Sequence, residues 1–381
     1  MGDFQAASCK IAGPFKVEAV TKAAKKLRSS MDHPAQVALV FVSANYAQHL
    51  SEFCEILRVD GHIVDVIGCT ASGWIEGASE FEGGSGCSIL ALHCDVGDPV
   101  ALVGDSPKLP ASLNSDPPPN AAVILANPFV FDIDDWLKDW NKRYPGLPTM
   151  GGLASGGGED DMCVFHNGKI VDAVVLPVIG QTTLIPVLSQ GCRPIGEPFT
   201  VTRAEHNVLY ALGNQSAYNA LESAFQTLTE DQKSHARGNL FAGLVGNEYV
   251  EDFQSGDFLI KNIIGADPGS GAVVIGGIPR VGQTLQYQLR DRSIAIEDLD
   301  RAYDAAPAFN KRAFASLLFS CLGRGKQFFG DSGKDAARLA DAVGGKPSAG
   351  FFCNGEIAPV RGLNALHGNT AAAAIWVKKI P

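Results

Sequence analysis

Apolar runs alternate with amphipathic stretches along the chain in an order that returns three times. Residues 37–46 (VALVFVSANY) form a continuous apolar run of strand length. Residues 47–59 follow with Leu50, Phe53, Ile56 and Leu57 at the spacing of one helix face, and residues 63–69 and 86–93 give two further strands. The second copy places a strand over 121–129, a helix over 132–143 with Ile133, Trp136, Leu137 and Trp140 as its apolar stripe, and a strand over 147–155. It closes with a hairpin over 163–179 that turns at Asn167-Gly168, a dipeptide suited to a type I′ turn. The third copy reads as strand 313–320, helix 331–343, strand 349–353 and strand 369–377. This pattern predicts an α/β fold with α+β tendencies. Two domains of repeated β-α-β-β units are expected, with mixed sheets flanked by helices and right-handed crossovers.

The strand ends carry the most specific part of the repeat. Ile67-Gly68-Cys69-Thr70-Ala71-Ser72-Gly73 matches Met150-Gly151-Gly152-Leu153-Ala154-Ser155-Gly156. Thirteen residues separate Gly73 from Gly86, as they separate Gly355 from Gly368. Shared glycines and neutral turn residues mark architecture, whereas Glu356, Arg361 and His367 are what the third copy adds. Between the second and third copies, 196–211 reads as a hairpin, 215–228 as a helix, and 240–246, 258–264 and 272–278 as strands. Turns at Gly256-Asp257, 267–271 and Gly276-Gly277 punctuate them, and 116–120, with Pro117, Pro118 and Pro119, is a stiff connector. The expected division is an N-terminal helical segment (1–35), an N-terminal domain (36–213) and a C-terminal domain (214–381).

Composition narrows the class. Hydrophobic residues make up 46% of the 381 and charged ones 19%, which suits a globular chain with room for two cores. A net charge of −10 argues against nucleic acid, because neutralising phosphates needs clustered Lys and Arg. The one basic cluster, Lys22, Lys25, Lys26 and Arg28, shares an amphipathic helix with Val17, Val20, Ala24 and Leu27, and reads as its solvated face. Nine cysteines, odd in number and without a CxxC pair, fit reduced thiols in a cytoplasm. No apolar run approaches the ~18 residues of a membrane span. No signal peptide is evident, and Ala6 stands where N-myristoylation needs Ser or Thr. A cytoplasmic protein without membrane attachment is expected.

Candidate chemistry gathers where strands end. Residues 314–320 run into Cys321-Leu322-Gly323-Arg324-Gly325-Lys326, where Gly323 and Gly325 let backbone approach a ligand and Arg324 suits an anion. The spacing is neither the P-loop GxxxxGK[ST] nor GxGxxG, so no nucleotide cofactor is expected. Cys321 is open to three readings: an inert packed thiol, a ligand contact, or a nucleophile with His367 as its base, acting on an acyl or amide group. Cys69, beside Thr70, and Cys353 end equivalent strands and carry the same ambiguity. Asn354, Glu356, Arg361, Asn364 and His367 form a polar group in an apolar C-terminus. Glu356 and Arg361 either pair with each other or hold the two charges of a zwitterion. Gly151 and Gly152 offer a second backbone wall. The eight histidines show no HxxxH or HExxH spacing, so no metal site is expected, and no GxSxG elbow anchors a hydrolase triad.

The segments VALVFVSANY, IGCTASGWIEG, LPTMGGLASGG, CVFHNGKIVDAVVLPVIG, VLSQGCRPIGEPFTVTRAEHNVLYAL, FSCLGRGKQFFG and FFCNGEIAPVRGLNALHGNTAAAAIW resemble the FIST proteins over nearly all of residues 36–377. That resemblance implies paired FIST N-terminal and C-terminal domains in an intracellular sensory module that binds small ligands, amino acids or their relatives among them. Other members join the pair to signalling modules or, in eukaryotes, to an F-box. About 35 residues precede the first strand here, fewer than an F-box needs, so the expected form is a stand-alone sensor with an unidentified signalling partner. The family supplies no settled catalytic residues. Open edge strands leave room for a homodimer.

Overall fold

The three sequence repeats become three equivalent sheets. The computed structural model describes residues 4–104, 118–246, 258–306, 309 and 312–379, so the predicted turn at Gly256-Asp257 and the start of the proline connector lie outside the described residues. Two units are formed: Met1–Leu188 with Ala302–Leu366 and Ala371–Pro381, and Ser189–Arg301 with His367–Thr370.

In the first unit, β1 (Gln5–Ala12) and α1 (Val17–Ser29) precede the first repeat. That repeat comprises β2 (Ala35–Val42), α2 (Leu50–Gly61), β3 (Ile63–Thr70), β4 (Gly73–Glu76), β5 (Ser79–Glu82) and β6 (Gly86–His93). After β7 (Val100–Leu102), the second repeat follows as β8 (Ala121–Ala126), α3 (Ile133–Arg143), β9 (Thr149–Leu153), β10 (Val164–His166), β11 (Lys169–Val171) and β12 (Ala173–Val178). Next come β13 (Thr182–Ser189) and the elements of the second unit. These are β14 (Cys192–Pro194), β15 (Phe199–Glu205), β16 (Val208–Leu212), β17 (Gln215–Ser216), α4 (Ala217–Gln226), α5 (Glu230–His235), β18 (Leu240–Val245), β19 (Phe258–Asp267), β20 (Ala272–Ile275), β21 (Thr284–Arg290) and α6 (Arg292–Ala305). The third repeat returns to the first unit with β22 (Ala313–Cys321), α7 (Lys326–Phe329), α8 (Lys334–Ala342), β23 (Ser348–Cys353), β24 (Glu356–Val360), β25 (Leu363–His367) and β26 (Ala371–Lys378).

The sheets run β1-β6-β2-β3-β10-β11, β7-β12-β8-β9-β24-β25 and β13-β26-β22-β23-β4-β5. Each places an edge strand, the last, first and second strands of one repeat, and then a hairpin from another repeat. The second repeat lends its hairpin to β3, the third to β9 and the first to β23, which closes a cycle. The repeat is therefore β-α-β, an exchanged hairpin and a final strand, one hairpin more than the expected β-α-β-β.

Register confirms the equivalence. Gly68, Gly151 and Gly350 face Val40, Ile124 and Leu318 across parallel pairs. A Cβ added at each would lie 2.1, 1.8 and 2.1 Å from the facing carbonyl oxygen, so only glycine fits. Aligned on these glycines, Gly73, Gly156 and Gly355 coincide. Gly86 however aligns with Thr370, because Phe41 pairs with Ser88 and Phe319 with Ala372. The equal thirteen-residue intervals are thus not a structural register; the third hairpin segment is two residues longer.

Strand alternation then builds the core. Val37, Leu39 and Phe41, Ala121, Val123 and Leu125, and Ala315, Leu317 and Phe319 all enter one shared cluster. There Phe41 stacks on Phe351 at 4.6 Å, and Phe319 meets Phe351 edge-on at 5.9 Å. The opposite faces carry helices: α1 and α2 through Val20, Leu27, Phe53 and Leu57 on the first sheet, α3 through Trp136, Leu137 and Trp140 on the second. In the second unit, β21, β15, β16, β20, β19 and β18 pair in turn and β18 pairs back with β21, so six antiparallel strands close on themselves. Ala217, Ala220 and Ala224 let α4 approach this ring's apolar interior, beside Val201, Leu209, Val273 and Tyr287. N-terminal β1, absent from the expected helical segment, extends the first sheet by pairing with β6.

Candidate functional site

The glycine turn after β22 attracts anions, and the protein itself supplies them. Arg324 is 1% exposed and donates from Nε and Nη2 to Asp335 Oδ2 and Oδ1 at 2.6 and 2.8 Å. Ser320 Oγ donates to the same carboxylate at 2.9 Å. Gly325, at φ +76°, would bring a Cβ to 2.7 Å of the Glu82 carboxyl carbon, and Glu82 accepts the Lys326 N–H at 2.7 Å. Glu80 accepts the N–H groups of Gly333, Asp335 and Ala336 at the start of α8. Burial first, then the Asp335 charge, push the Glu80 carboxyl above its ordinary range, against the pull of those three donors.

Cys321, the one cysteine of nine that is not buried, ends β22 beside the exposed Gly323, whose N–H points at its Sγ at 3.4 Å. Its counterparts by register are Ser43 and Asn127. Ser43 Oγ accepts the Gly86 N–H at 2.9 Å and Asn127 Oδ1 the Phe129 N–H at 3.0 Å, so all three are short side chains that receive turn N–H groups. His367 closes β25, is 3% exposed and belongs to the second unit, whereas Cys321 belongs to the first.

Other sequence candidates are built into the first unit's packing. Thr70 is fully buried and accepts the Cys163 N–H at 3.0 Å. Burial lifts the Cys69 thiol well above its ordinary value, and that of Cys353 likewise, with Glu356 adding to the latter. Gly152 would place a Cβ 2.5 Å from Cys353 Sγ, and Gly151 is fixed by Ile124, so both glycines serve strand contact. Asn354 donates to the Ala154 carbonyl at 3.0 Å and Asn364 joins Asn141, Leu147 and Thr149. Glu356 and Arg361 are not brought together: Arg361, at φ 48°, forms the exposed tip between β24 and β25, about 16 Å along the strand from Glu356. Glu356 is fully buried opposite Gly152, at the position that Trp74 and Val164 fill in the other repeats. The sequence therefore identified a polar addition of the third copy, and the structure places it inside a sheet.

A cleft of about 600 Å³ opens instead on the second unit. Leu221 and Phe225 of α4, Leu240 and Phe241 of β18 and Ile263 of β19 give it apolar walls, and Lys233, Arg237, Arg290, Asn262 and Asn369 its polar groups. Arg290 ends β21, is 7% exposed, and is fixed by its N–H to the Asn239 carbonyl at 2.9 Å. Its Nη1 donates to Asn369 Oδ1 at 3.0 Å, and Asn369 Nδ2 donates to Asn262 Oδ1 at 3.3 Å. Asn369 holds φ 62°, a left-handed conformation that Asn tolerates through its short side chain. Lys233 is paired with Glu230 at 2.9 Å, and Arg237 is exposed at the rim. A larger groove on the first unit, about 790 Å³, is acidic, with Asp132, Asp134 and Asp172 beside Phe129 and Val130. Of the two, only the cleft combines cations, amides and apolar walls. Sequence reasoning singled out His367, two residues from Asn369, but missed Arg290, although the alternation in TLQYQLR, which it ends, is a readable strand signal.

Comparison with known proteins places the whole. The FIST N domain model matches residues 36–215 and the FIST C domain model residues 217–359. The chain is 32% identical over 352 residues to an uncharacterized protein of Mycobacterium tuberculosis (strain CDC 1551 / Oshkosh), covering 90% of this chain and 91% of that one. It is 36% identical over 258 residues to an uncharacterized protein of Mycobacterium bovis (strain ATCC BAA-935 / AF2122/97), covering 67% of each. The chain belongs to the FIST family, whose domains are generally sensory and signal-transduction domains. No helix among the described residues is long and apolar enough to cross a membrane.

Proposed function

We propose that this FIST-family chain is a small-ligand sensor in signal transduction, and that the cleft of its second unit receives a small anion or zwitterion, an amino acid or a relative. The observation that carries the reading is the meeting of Lys233, Arg237 and Arg290 with two side-chain amides and an apolar wall, in a chain whose net charge is −10. Cations gathered against an acidic background focus anionic ligands, and apolar walls reward a ligand with a carbon skeleton. Nine free thiols, eight of them buried, support a reducing compartment such as the cytoplasm. The output partner is a protein that distinguishes the ligand-bound form.

A thermal-shift screen of amino acids and central metabolites on the full chain tests the reading. At concentrations 100-fold above Kd, a ligand of the native state adds about 2.7 kcal/mol of stability. A panel in which no compound raises the melting temperature sinks the proposal.

A further inference from the structure

Taking the sensor reading as given, we infer that the cleft selects an anion that lacks an ammonium group: a carboxylic acid with an apolar body rather than an amino acid. The cleft's polar side chains present donors. Lys233, Arg237 and Arg290 have no acceptor atoms, and among the described residues no carboxylate lines the cleft. The acceptors available are the amide oxygens of Asn369 and Asn262. Asn369 Oδ1 already takes Arg290 Nη1, and Asn262 Oδ1 takes Asn369 Nδ2. This chain of two hydrogen bonds orients both amides, so that Asn262 presents its NH₂ as a further donor. An ammonium placed here meets Arg237 and Arg290, with Lys233 already paired to Glu230, and finds both side-chain acceptors engaged, whereas a carboxylate meets donors throughout. Leu221, Phe225 and Phe241 supply contact for an aliphatic or aromatic body.

The test uses pairs that differ only by the ammonium group: glutarate with glutamate, 4-methylpentanoate with leucine, and 3-phenylpropanoate with phenylalanine. Each is titrated calorimetrically into the full chain at low salt. In at least one pair the acid binds about tenfold or more tighter than its amino acid. Arg237 is exposed, so Arg237→Gln leaves the fold intact and weakens that acid about two- to fivefold. Asn262 is exposed too, and Asn262→Asp supplies the missing carboxylate, which weakens the acid and narrows or reverses the preference. Amino acids that bind as tightly as their acids overturn the inference and leave the sensor reading standing. Should none of the six compounds bind at millimolar concentration, the cleft is not an anion site; the sensor reading then depends on the wider screen alone.

Discussion

Breaking the buried pair under α8 separates structural from ligand-binding roles for Arg324. Both side chains of the Arg324–Asp335 pair are essentially inaccessible, at 0% and 1%, and the contact is bidentate. Removing one member leaves the other charged without solvent, a loss of about 3–5 kcal/mol. At about 2–4 °C per kcal/mol for a unit of this size, that lowers the first unit's melting temperature by roughly 6–20 °C. The two single variants are not equivalent. Arg324→Met strands Asp335 beside Glu80, two carboxylates with their cation gone, whereas Asp335→Leu takes away the guanidinium's bidentate partner but relieves Glu80 of its neighbour's charge. Arg324→Met is therefore the more damaging, and its deficit shrinks as falling pH protonates Glu80, whose carboxyl already lies above its ordinary range. The triple variant Ser320→Ala, Arg324→Met, Asp335→Leu imitates the other repeats, where Val42 and Ala126 stand in place of Ser320 and the helices begin their buried faces with Leu50 and Ile133. Its stability returns to within about 1–2 kcal/mol of the parent or exceeds it, because a well-packed apolar replacement of a buried pair is commonly neutral or stabilising. Differential scanning calorimetry of the four proteins, with the first unit's transition followed separately, reads these shifts. An Arg324→Met protein that melts within 2 °C of the parent yet no longer responds to ligand refutes the reasoning and makes Arg324 a ligand contact.

Three further outcomes follow from the same geometry. Gly68→Ala, Gly151→Ala and Gly350→Ala each drive a methyl into a facing carbonyl and cost at least about 3 kcal/mol in urea unfolding, while Gly158→Ala, with nothing within 4 Å, costs under about 1 kcal/mol. Iodoacetamide labels the native chain at Cys321 alone, and mass spectrometry of the digest shows one modified site. Burial pushes the Cys9, Cys54 and Cys94 thiols up to about 12 and that of Cys163 to about 11; rapid labelling of any of them disproves the packing described. Asp65 accepts from His166 and Asn167, each at 2.8 Å, and the His166 bond leads in holding its carboxyl below the usual range. The stability it contributes is complete above the ordinary Asp value and disappears as pH falls through the lowered one. Asp65→Asn therefore loses about 1 kcal/mol or less near neutrality and unfolds with a flatter acid limb below about pH 4.

Much of the first unit was legible because its strands are buried on both faces and so read as unbroken apolar runs. Residues 86–93 gave β6 with its bounds unchanged, and Asn167-Gly168 turned as expected, at φ 51° and 79°. The exchanged hairpins were not legible. β5 reads Ser79-Glu80-Phe81-Glu82, too short and too polar to announce itself, and its placement depends on pairings between repeats hundreds of residues apart. The chemistry of single residues was legible, but their partners were not. Arg324 and the glycines beside it do attract carboxylates, and a sequence does not say whether those belong to a ligand or to Asp335 and Glu82. The cleft had no local motif to find, since its lining comes from segments spread between Leu221 and Asn369.

The cycle of hairpins also decides what the two family segments can be physically. The FIST N match ends at residue 215, but β4, inside it, pairs with β23, and β9, also inside it, pairs with β24, both from the FIST C match. A folded first unit thus needs the third repeat, which the chain reaches only after the long Ser189–Arg301 segment of the second unit, between β13 and β22. Even if that stretch were a flexible loop, closure entropy grows only as the logarithm of length. A loop of more than a hundred residues then costs about 2 kcal/mol more than one of ten. Three hairpin exchanges and a core shared by three sheets outweigh that cost, so inserting a closed barrel into the ring is cheap in stability. The same closure explains where polarity was tolerated. The first two repeats fill the equivalent buried positions with Ala38, Val42, Trp74, Ala122, Ala126 and Val164, while the third carries Ser316, Ser320 and Glu356. At these three positions the apolar side chains of two repeats hold their share of the common core, and the cost of the third repeat's buried polar groups is offset by the other two sheets.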